Sequence, residues 1–110
     1  MLAEGGLMED PSTLRRLKHT LTKENLWLYI FSVLKTKGKV YAYGLGSELE
    51  RKFGWRHGLI TSYVVLYRLE AEGLISSEYE SRRKYYRLTP KGRKALAGAK
   101  SYMKSLAGRL

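Results

Sequence analysis

The side chains best suited to contact a ligand lie in one stretch, Leu59 to Gly73, which reads LITSYVVLYRLEAEG. With a helical period, one side is a plausible core face, formed by Leu59, Ser62, Val65, Leu66, Leu69 and Gly73. The other side mixes hydroxyl, aromatic and aliphatic groups with one charge: Thr61, Val64, Tyr67, Arg68 and Ala71, with Ile60 and Tyr63 at the border. Such groups can contact base edges in a DNA groove, and an arginine can bind phosphate or guanine. A fully buried central helix explains this stretch equally well.

The overall charge favours a polyanionic partner. The 110 residues include 21 Lys and Arg against 10 Asp and Glu, a formal net charge of +11. Glu80 is the last acidic residue, and ten Lys and Arg follow between Ser81 and Leu110. Nucleic acid and acidic membrane surfaces attract such a charge. The alternative is a solvated basic tail.

Composition argues against several other classes of protein. The absence of cysteine excludes a disulfide scaffold and a thiolate zinc site, and fits a reducing, cytoplasmic location. His19 and His57 do not make a metal centre without carboxylates, so we expect no metal and no cofactor. The start, MLAEGGLMED, is not a signal peptide and no apolar run spans a bilayer, so we expect no membrane partner. No catalytic constellation or phosphate-binding loop is present, which argues against an enzyme.

The N-terminal part predicts a loose arm and two helices. The arm covers residues 1–10, and a short helix follows over 11–21. A core helix is predicted over 23–36, with Thr22 as its N-cap. The first helix has an apolar seam too narrow to form a core by itself, made of Leu14, Leu17 and Leu21. It is therefore expected to pack on another element or on a second subunit.

A second core helix, over 41–53, completes a helix-turn-helix. Its apolar residues, Leu45, Leu49 and Phe53, recur every four positions. Gly44 and Gly46 indicate either the close approach of another helix or a frayed helix start. A glycine-containing turn at 54–58 then leads into the helix that begins at Leu59.

After Gly73 the pattern changes from a helical period to alternation. LISSEYE and KYYRLT are rich in Ile, Tyr and Thr and flank the polar Ser81-Arg82-Arg83, which predicts a two-stranded hairpin. So small a hairpin must lean on the helices. The expected fold is mostly α with a small β-hairpin: a winged helix-turn-helix domain over 22–89.

A last helix is predicted over 90–110, because Thr89-Pro90 combines a capping hydroxyl with proline at the first helical position. Its apolar residues alternate spacings of three and four: Leu96, Ala99, Met103, Leu106 and Leu110. With the leucines of 11–21, this seam is expected to form an intersubunit layer. The alternative is that it only covers the core of its own domain.

Four segments resemble the PadR-like transcriptional regulators, small winged-helix repressors. Tyr43-Gly44-Leu45 with Leu49-Glu50 resembles their second helix. Thr61, Tyr63, 66–70 and 73–75 resemble their recognition helix and its exit. Arg82 to Thr89 is similar to the return strand of their wing, and Lys91-Gly92-Arg93 to the start of their dimerisation helix. The resemblance covers about residues 24–96.

The sequence also departs from that family pattern. The prolines that the family carries near the positions of Leu59 or Ile60 and of Val64 are absent, and the wing is shorter and lacks glycine. Some members bind drugs between tryptophans at the dimer interface. The tryptophans here are Trp27 and Trp55, so no ligand pocket is carried over and an effector stays unknown.

These observations lead to the hypothesis of a homodimeric, sequence-specific DNA-binding transcriptional regulator, a repressor that reads an inverted repeat with helix 59–72 and the 80–84 wing. The residues expected at base edges are Thr61, Tyr63, Val64 and Tyr67. Phosphate or wing contacts are expected from Arg56, His57, Arg68, Arg82, Arg83 and Lys84. The expected dimer interface comprises Leu14, Leu17, Leu21, Leu96, Ala99, Met103 and Leu106. The alternatives are an architectural protein that coats DNA through charge, or a winged-helix module that binds an acidic protein.

Overall fold

The computed structural model describes residues 10–110, which form a set of helices and one small sheet. The helices are α1 (Ser12–Lys23), α2 (Leu26–Lys37), α3 (Leu45–Phe53), α4 (Leu59–Ala71) and α5 (Pro90–Arg109). The strands are β1 (Val40–Tyr41), β2 (Ile75–Glu80) and β3 (Arg83–Leu88), and one 3-10 turn, Ala42–Gly44, joins β1 to α3. The expected winged helix-turn-helix is confirmed. Of the expected arm over 1–10, residues 1–9 lie outside the described residues.

The core is organised around α2. Five of its side chains are buried: Leu26, Ile30, Phe31, Val33 and Leu34. Leucines of α3, α4 and α5 close over them: Leu45, Leu49, Leu66, Leu69 and Leu96. Each fully buried side chain of this size stabilises the fold by about 1.5–3 kcal/mol. Because Leu66 and Leu69 are three residues apart on α4, they fix one face of that helix inward and leave the opposite face outside.

The sheet has three antiparallel strands in the order β1-β3-β2, one more than the predicted hairpin. Tyr86 of β3 pairs with Val40 on one side and with Ser77 on the other. Val40, Ile75, Tyr86 and Leu88 are buried and form the inner face. The sequence did not reveal β1 because two residues are too short for a periodic signal.

The predicted N-cap at Thr22 is wrong. α1 continues to Lys23, and the Thr22 hydroxyl donates to the carbonyl of Lys18 at 2.9 Å. A threonine hydroxyl can bond back to the preceding turn inside a helix as well as cap the next one, so the residue type alone does not decide. α2 begins after Asn25 instead.

The helix predicted over 41–53 begins only at Leu45. A Cβ on Gly44 would meet nothing within 4 Å, and one on Gly46 would first meet the Arg56 side chain at 3.5 Å. The close approach of another helix is therefore not the reason for these glycines. Gly44 lies at the N-cap of α3 and not in the helix interior, which agrees with the alternative of a frayed helix start.

α5 begins at the predicted Thr89-Pro90 signal, and its start is also connected to the end of α4. The Thr89 hydroxyl accepts from the backbone N–H of Gly92 at 3.0 Å and donates to the carbonyl of Gly73 at 2.7 Å. Gly92 lies so close to the α4–β2 connection that a Cβ there would be 2.0 Å from the carbonyl oxygen of Leu74. Only glycine fits this contact without a shift of the backbone.

The apolar seams of α1 and α5 differ in the extent to which their residues are buried within their own chain. Leu96 is only 5% exposed and packs in the core of its own chain, which is what the alternative interpretation predicts at this position. Further along α5, Met103 and Leu106 are exposed. The leucines of α1 are exposed as well, and α1 contributes no buried residue.

Candidate nucleic-acid interface

The side of α4 that lies opposite the core is open to solvent. Ile60 and Tyr67 are 79% and 77% exposed, and Tyr63, Val64, Thr61 and Arg68 are exposed too. A fully buried central helix is thus excluded as the reason for this composition. Leu59, expected in the core, is 42% exposed instead, because it begins the helix and the first buried position is Ser62. The outward face of α4, defined by Ile60, Tyr63, Val64 and Tyr67, is the first part of the candidate interface.

Thr61 and Arg68 lie at the flank of that face. Both line a surface groove of about 540 Å³ between α4 and the α1–α2 junction. The groove is also lined by Lys23, Glu24 and Trp27. Thr61 and Arg68 are therefore displaced toward α2 relative to the centre of the outward face.

His57 supports the start of α4 from inside. Its Nδ1 is 3.0 Å from the Ser62 hydroxyl, and its Nε2 is buried without a hydrogen-bond partner in the described part of the chain. Burial lowers the pKa of His57, the Gly58 carbonyl raises it and the charge of Lys23 lowers it. The buried Nε2 and the lowered pKa both disfavour the charged imidazole that the expected phosphate contact would need.

Arg56 joins the turn before α4 to α3. Its Nε donates to Glu50 at 2.8 Å, and its terminal nitrogen donates to the Ser47 hydroxyl at 3.3 Å. The side chain keeps half of its surface exposed. Exposed ion pairs of this kind contribute about 0–1 kcal/mol, so the guanidinium remains available to a phosphate.

The tip of the wing is a two-residue turn with unusual backbone angles. Ser81 and Arg82 connect β2 to β3 and have φ values of 51° and 75°. Positive φ at both central residues is typical of the type I′ hairpin turn, in which asparagine and glycine are preferred. An arginine in this left-handed conformation costs about 1–2 kcal/mol. The turn thus holds an exposed cation at the most strained point of the hairpin.

The outer face of the sheet arranges cations over tyrosine rings. The Arg83 guanidinium lies 5.0 Å from the ring centroid of Tyr41, and Lys39 Nζ lies 5.0 Å from that of Tyr85. Lys39 also pairs with Glu80. Tyr41 and Lys39 were not recognised from the sequence as candidates for the interface, because β1 is too short to give a periodic signal.

Lys84 lies on the opposite, inner face of the wing. Its Nζ is 3.8 Å from a carboxylate oxygen of Glu70 on α4, and a hydrogen bond with Tyr86 raises the pKa of Lys84. Glu70 also accepts from the Ser77 hydroxyl at 2.5 Å. Lys84 therefore connects the wing to α4. This position differs from the sequence prediction, which placed Lys84 at the wing tip.

This arrangement is that of a known family. Residues 30–98 match the sequence profile of the Transcriptional regulator PadR-like family. The chain belongs to the PadR-like family. Comparison with functionally curated proteins finds no significant match. The matched region includes the helix-turn-helix, the wing and the start of α5, whereas α1 and the C-terminal turns of α5 lie outside it.

Solved structures of related proteins agree with this assignment. A PadR family transcriptional regulator from Eggerthella lenta is 26% identical, with 88% of each chain covered and a TM-score of 0.73. A PadR family regulator from hypervirulent Clostridium difficile is 28% identical over 76% of this chain and 94% of its own, with a TM-score of 0.63. The winged-helix DNA-binding protein from STIV is 21% identical over 77% of this chain and 92% of its own, with a TM-score of 0.68, and shows the same fold.

Between residues 10 and 110, no group of three or more His, Cys, Asp or Glu is placed to hold a metal ion. In the same range, no helix has the length and hydropathy needed to cross a membrane.

Proposed function

We propose that this PadR-like regulator is a homodimeric, sequence-specific transcriptional repressor that recognises an inverted repeat. The observation that carries the proposal is the outward face of α4, which exposes aromatic, aliphatic and hydroxyl groups on a helix anchored by buried leucines. In this proposal α4 enters the major groove, and Tyr63, Val64 and Tyr67 contact base edges. Thr61 contacts the duplex from the flank.

Phosphate binding in this proposal comes from the cations around α4. Arg56 and Arg68 flank the helix, and Arg82 and Arg83 reach the neighbouring backbone from the wing. Such contacts release counterions and supply affinity that depends on salt but little on sequence. His57 and Lys84 are left out of this set because the His57 ring lies against Ser62 and Lys84 lies on the inner face of the wing, toward α4.

The dimer is proposed from the exposed apolar residues of α1 and α5. Leu14, Leu17 and Leu21 on α1, and Met103 and Leu106 on α5, are exposed on a single chain. A second copy covers them most simply through a two-fold contact, with Ala99 at its edge. Two-fold symmetry would present two α4 helices to half-sites whose centres are about 34–36 Å apart or a multiple of that. A DNA target of this kind also fits a cytoplasmic location.

Selection of bound sequences from a random duplex pool tests the proposal. Recovery of an inverted repeat, with a sedimentation mass of two chains, is the expected result. Binding without any enriched sequence would favour an architectural protein that coats DNA through its charge of +11. Failure to bind duplex DNA, with salt-sensitive capture of an acidic protein, would favour an interaction module.

A further inference from the structure

The outward face of α4 has an unusual chemistry for a helix that reads DNA. Between Leu59 and Ala71 there is no Asn, Gln or Lys, and the single Arg68 lies at the flank. Amides and guanidinium groups are the side chains that make paired hydrogen bonds with adenine and guanine edges. The centre of this face therefore lacks the usual means of reading a purine.

In their place the helix exposes a ridge of apolar groups. Ile60, Val64 and Tyr67 follow the spacing of four and three residues that aligns side chains along one side of a helix. Ile60 is the most exposed of them, although burial would suit an isoleucine better than water. No residue in the described part of the chain covers the ridge.

The chemistry of the major groove suggests what would cover it. Among the base edges in that groove, the C5-methyl group of thymine is the apolar one. Exposed cations occur on neighbouring elements, Arg56 on the turn before α4 and Arg83 at the start of β3, which suits a partner edged by phosphates. An apolar protein partner would not need this charge. A DNA duplex with thymine methyl groups facing the helix therefore matches both parts of the surface.

We propose that Ile60 and Val64 contact thymine C5-methyl groups, so that α4 selects its site by the position of methyl groups, with Ile60 as a specificity-determining residue. This inference rests on the proposed function and names the feature of DNA that the helix recognises. Burial of one methyl group contributes about 0.8 kcal/mol, or about fourfold in affinity.

The experiment replaces each thymine of the selected site by deoxyuridine, which removes only the methyl group and keeps the base pair. We expect about a fourfold loss of affinity at each contacted thymine and no change at the others. The Ile60→Ala variant should lose the difference between thymine and uracil at one position of each half-site. Because the Ile60 side chain is largely exposed, this variant should fold, which circular dichroism verifies. Tyr102→Ala, which removes an exposed aromatic ring from α5, is the matched control and should keep the full difference.

The outcomes separate the inference from the function on which it rests. Loss of the thymine–uracil difference in Ile60→Ala, but not in Tyr102→Ala, supports the inference. A selected site at which no uracil substitution changes the affinity overturns the inference and leaves sequence-specific binding intact. If no sequence is selected, or if the ridge binds a protein instead of DNA, both the inference and the proposed function are wrong.

Discussion

The outward face of α4 and the wing are two surfaces of opposite character. The face exposes isoleucine, valine and tyrosine on a rigid helix, whereas the wing exposes Arg82 in a strained turn and Arg83 over a tyrosine ring. An uncharged group adds binding free energy only where it meets a particular base edge, whereas a cation adds binding free energy at any phosphate. Under the proposed function, discrimination and electrostatic affinity are therefore located on separate elements. Changes that affect one surface alone can therefore test this division.

The largest expected effect concerns Gly92, whose contact with Leu74 joins α5 to the α4–β2 connection and so supports both surfaces. Gly92→Ala would place a methyl group 2.0 Å from the Leu74 carbonyl oxygen, and we expect the free energy of unfolding to fall by about 3 kcal/mol. Urea denaturation measures this loss. Gly98→Ala is the matched control, because its Cβ would meet nothing within 4 Å. This substitution should raise the free energy of unfolding by about 0.5–1 kcal/mol. Equal stability of the two variants would contradict the close contact.

Removal of one aromatic ring from α4 should weaken discrimination. We expect Tyr63→Ala to lower affinity for the selected site by about 2 kcal/mol, roughly 30-fold, with little change for random duplex. Fluorescence anisotropy with both duplexes measures the ratio. An equal loss on both would show that this face does not read bases.

The opposite result is expected at the wing. Arg82→Ala with Arg83→Ala should weaken binding to all duplexes by the same factor and leave the ratio of specific to random affinity unchanged. Each lost phosphate contact should reduce the slope of log K against log salt concentration by about 0.9. An unchanged slope, or a change confined to the selected site, would contradict the division of roles.

A smaller effect is expected from a variant that changes the position of a wing cation and keeps its charge. Tyr41→Leu removes the ring beneath Arg83 and should lower affinity for all duplexes by about 0.5–1 kcal/mol, since the guanidinium is no longer held in place. Tyr41→Phe keeps the ring and should bind normally. In the Arg83→Ala background Tyr41→Leu should have no further effect, and an additive loss would show that the ring acts independently of Arg83.

The smallest effect is a pH dependence at the start of α4. Burial lowers the pKa of His57 in the folded chain, so the unfolded chain binds the proton more readily. Stability from His57 is complete above the unfolded pKa of about 6.5 and decreases as the pH falls below it. Unfolding free energies measured between about pH 7 and 5.5 should therefore fall more steeply for the natural chain than for His57→Asn. Identical slopes would show that the imidazole is not held in its neutral form.

The periodic parts of the sequence predicted the fold and one side of the site. The helical period of α4 placed Val64 and Tyr67 opposite the core face and Tyr63 at the border, and all three are exposed, because a helix anchored by Leu66 and Leu69 has only one outward side. The Thr89-Pro90 signal located the start of α5 for a similarly local reason.

The remaining features depend on contacts that are distant in sequence. Arg83 and Lys84 are neighbouring cations. Lys84 faces Glu70 on α4, whereas Arg83 lies over Tyr41 of β1. Strand alternation separates them, but only the packing of the sheet against α4 decides which side is inward. In the same way, Leu96 belongs to an apolar seam by its spacing and to the core by its contacts.

The central claim is that the outward face of α4 contacts bases, and intermolecular nuclear Overhauser effects test it most directly. The methyl groups of Ile60 and Val64 would be observed in a complex with the selected duplex. The account predicts cross-peaks from these methyl groups to base protons in the major groove, and none from the methyl groups of Leu106 on α5. Cross-peaks to sugar protons alone, or methyl signals unchanged by DNA, would contradict it.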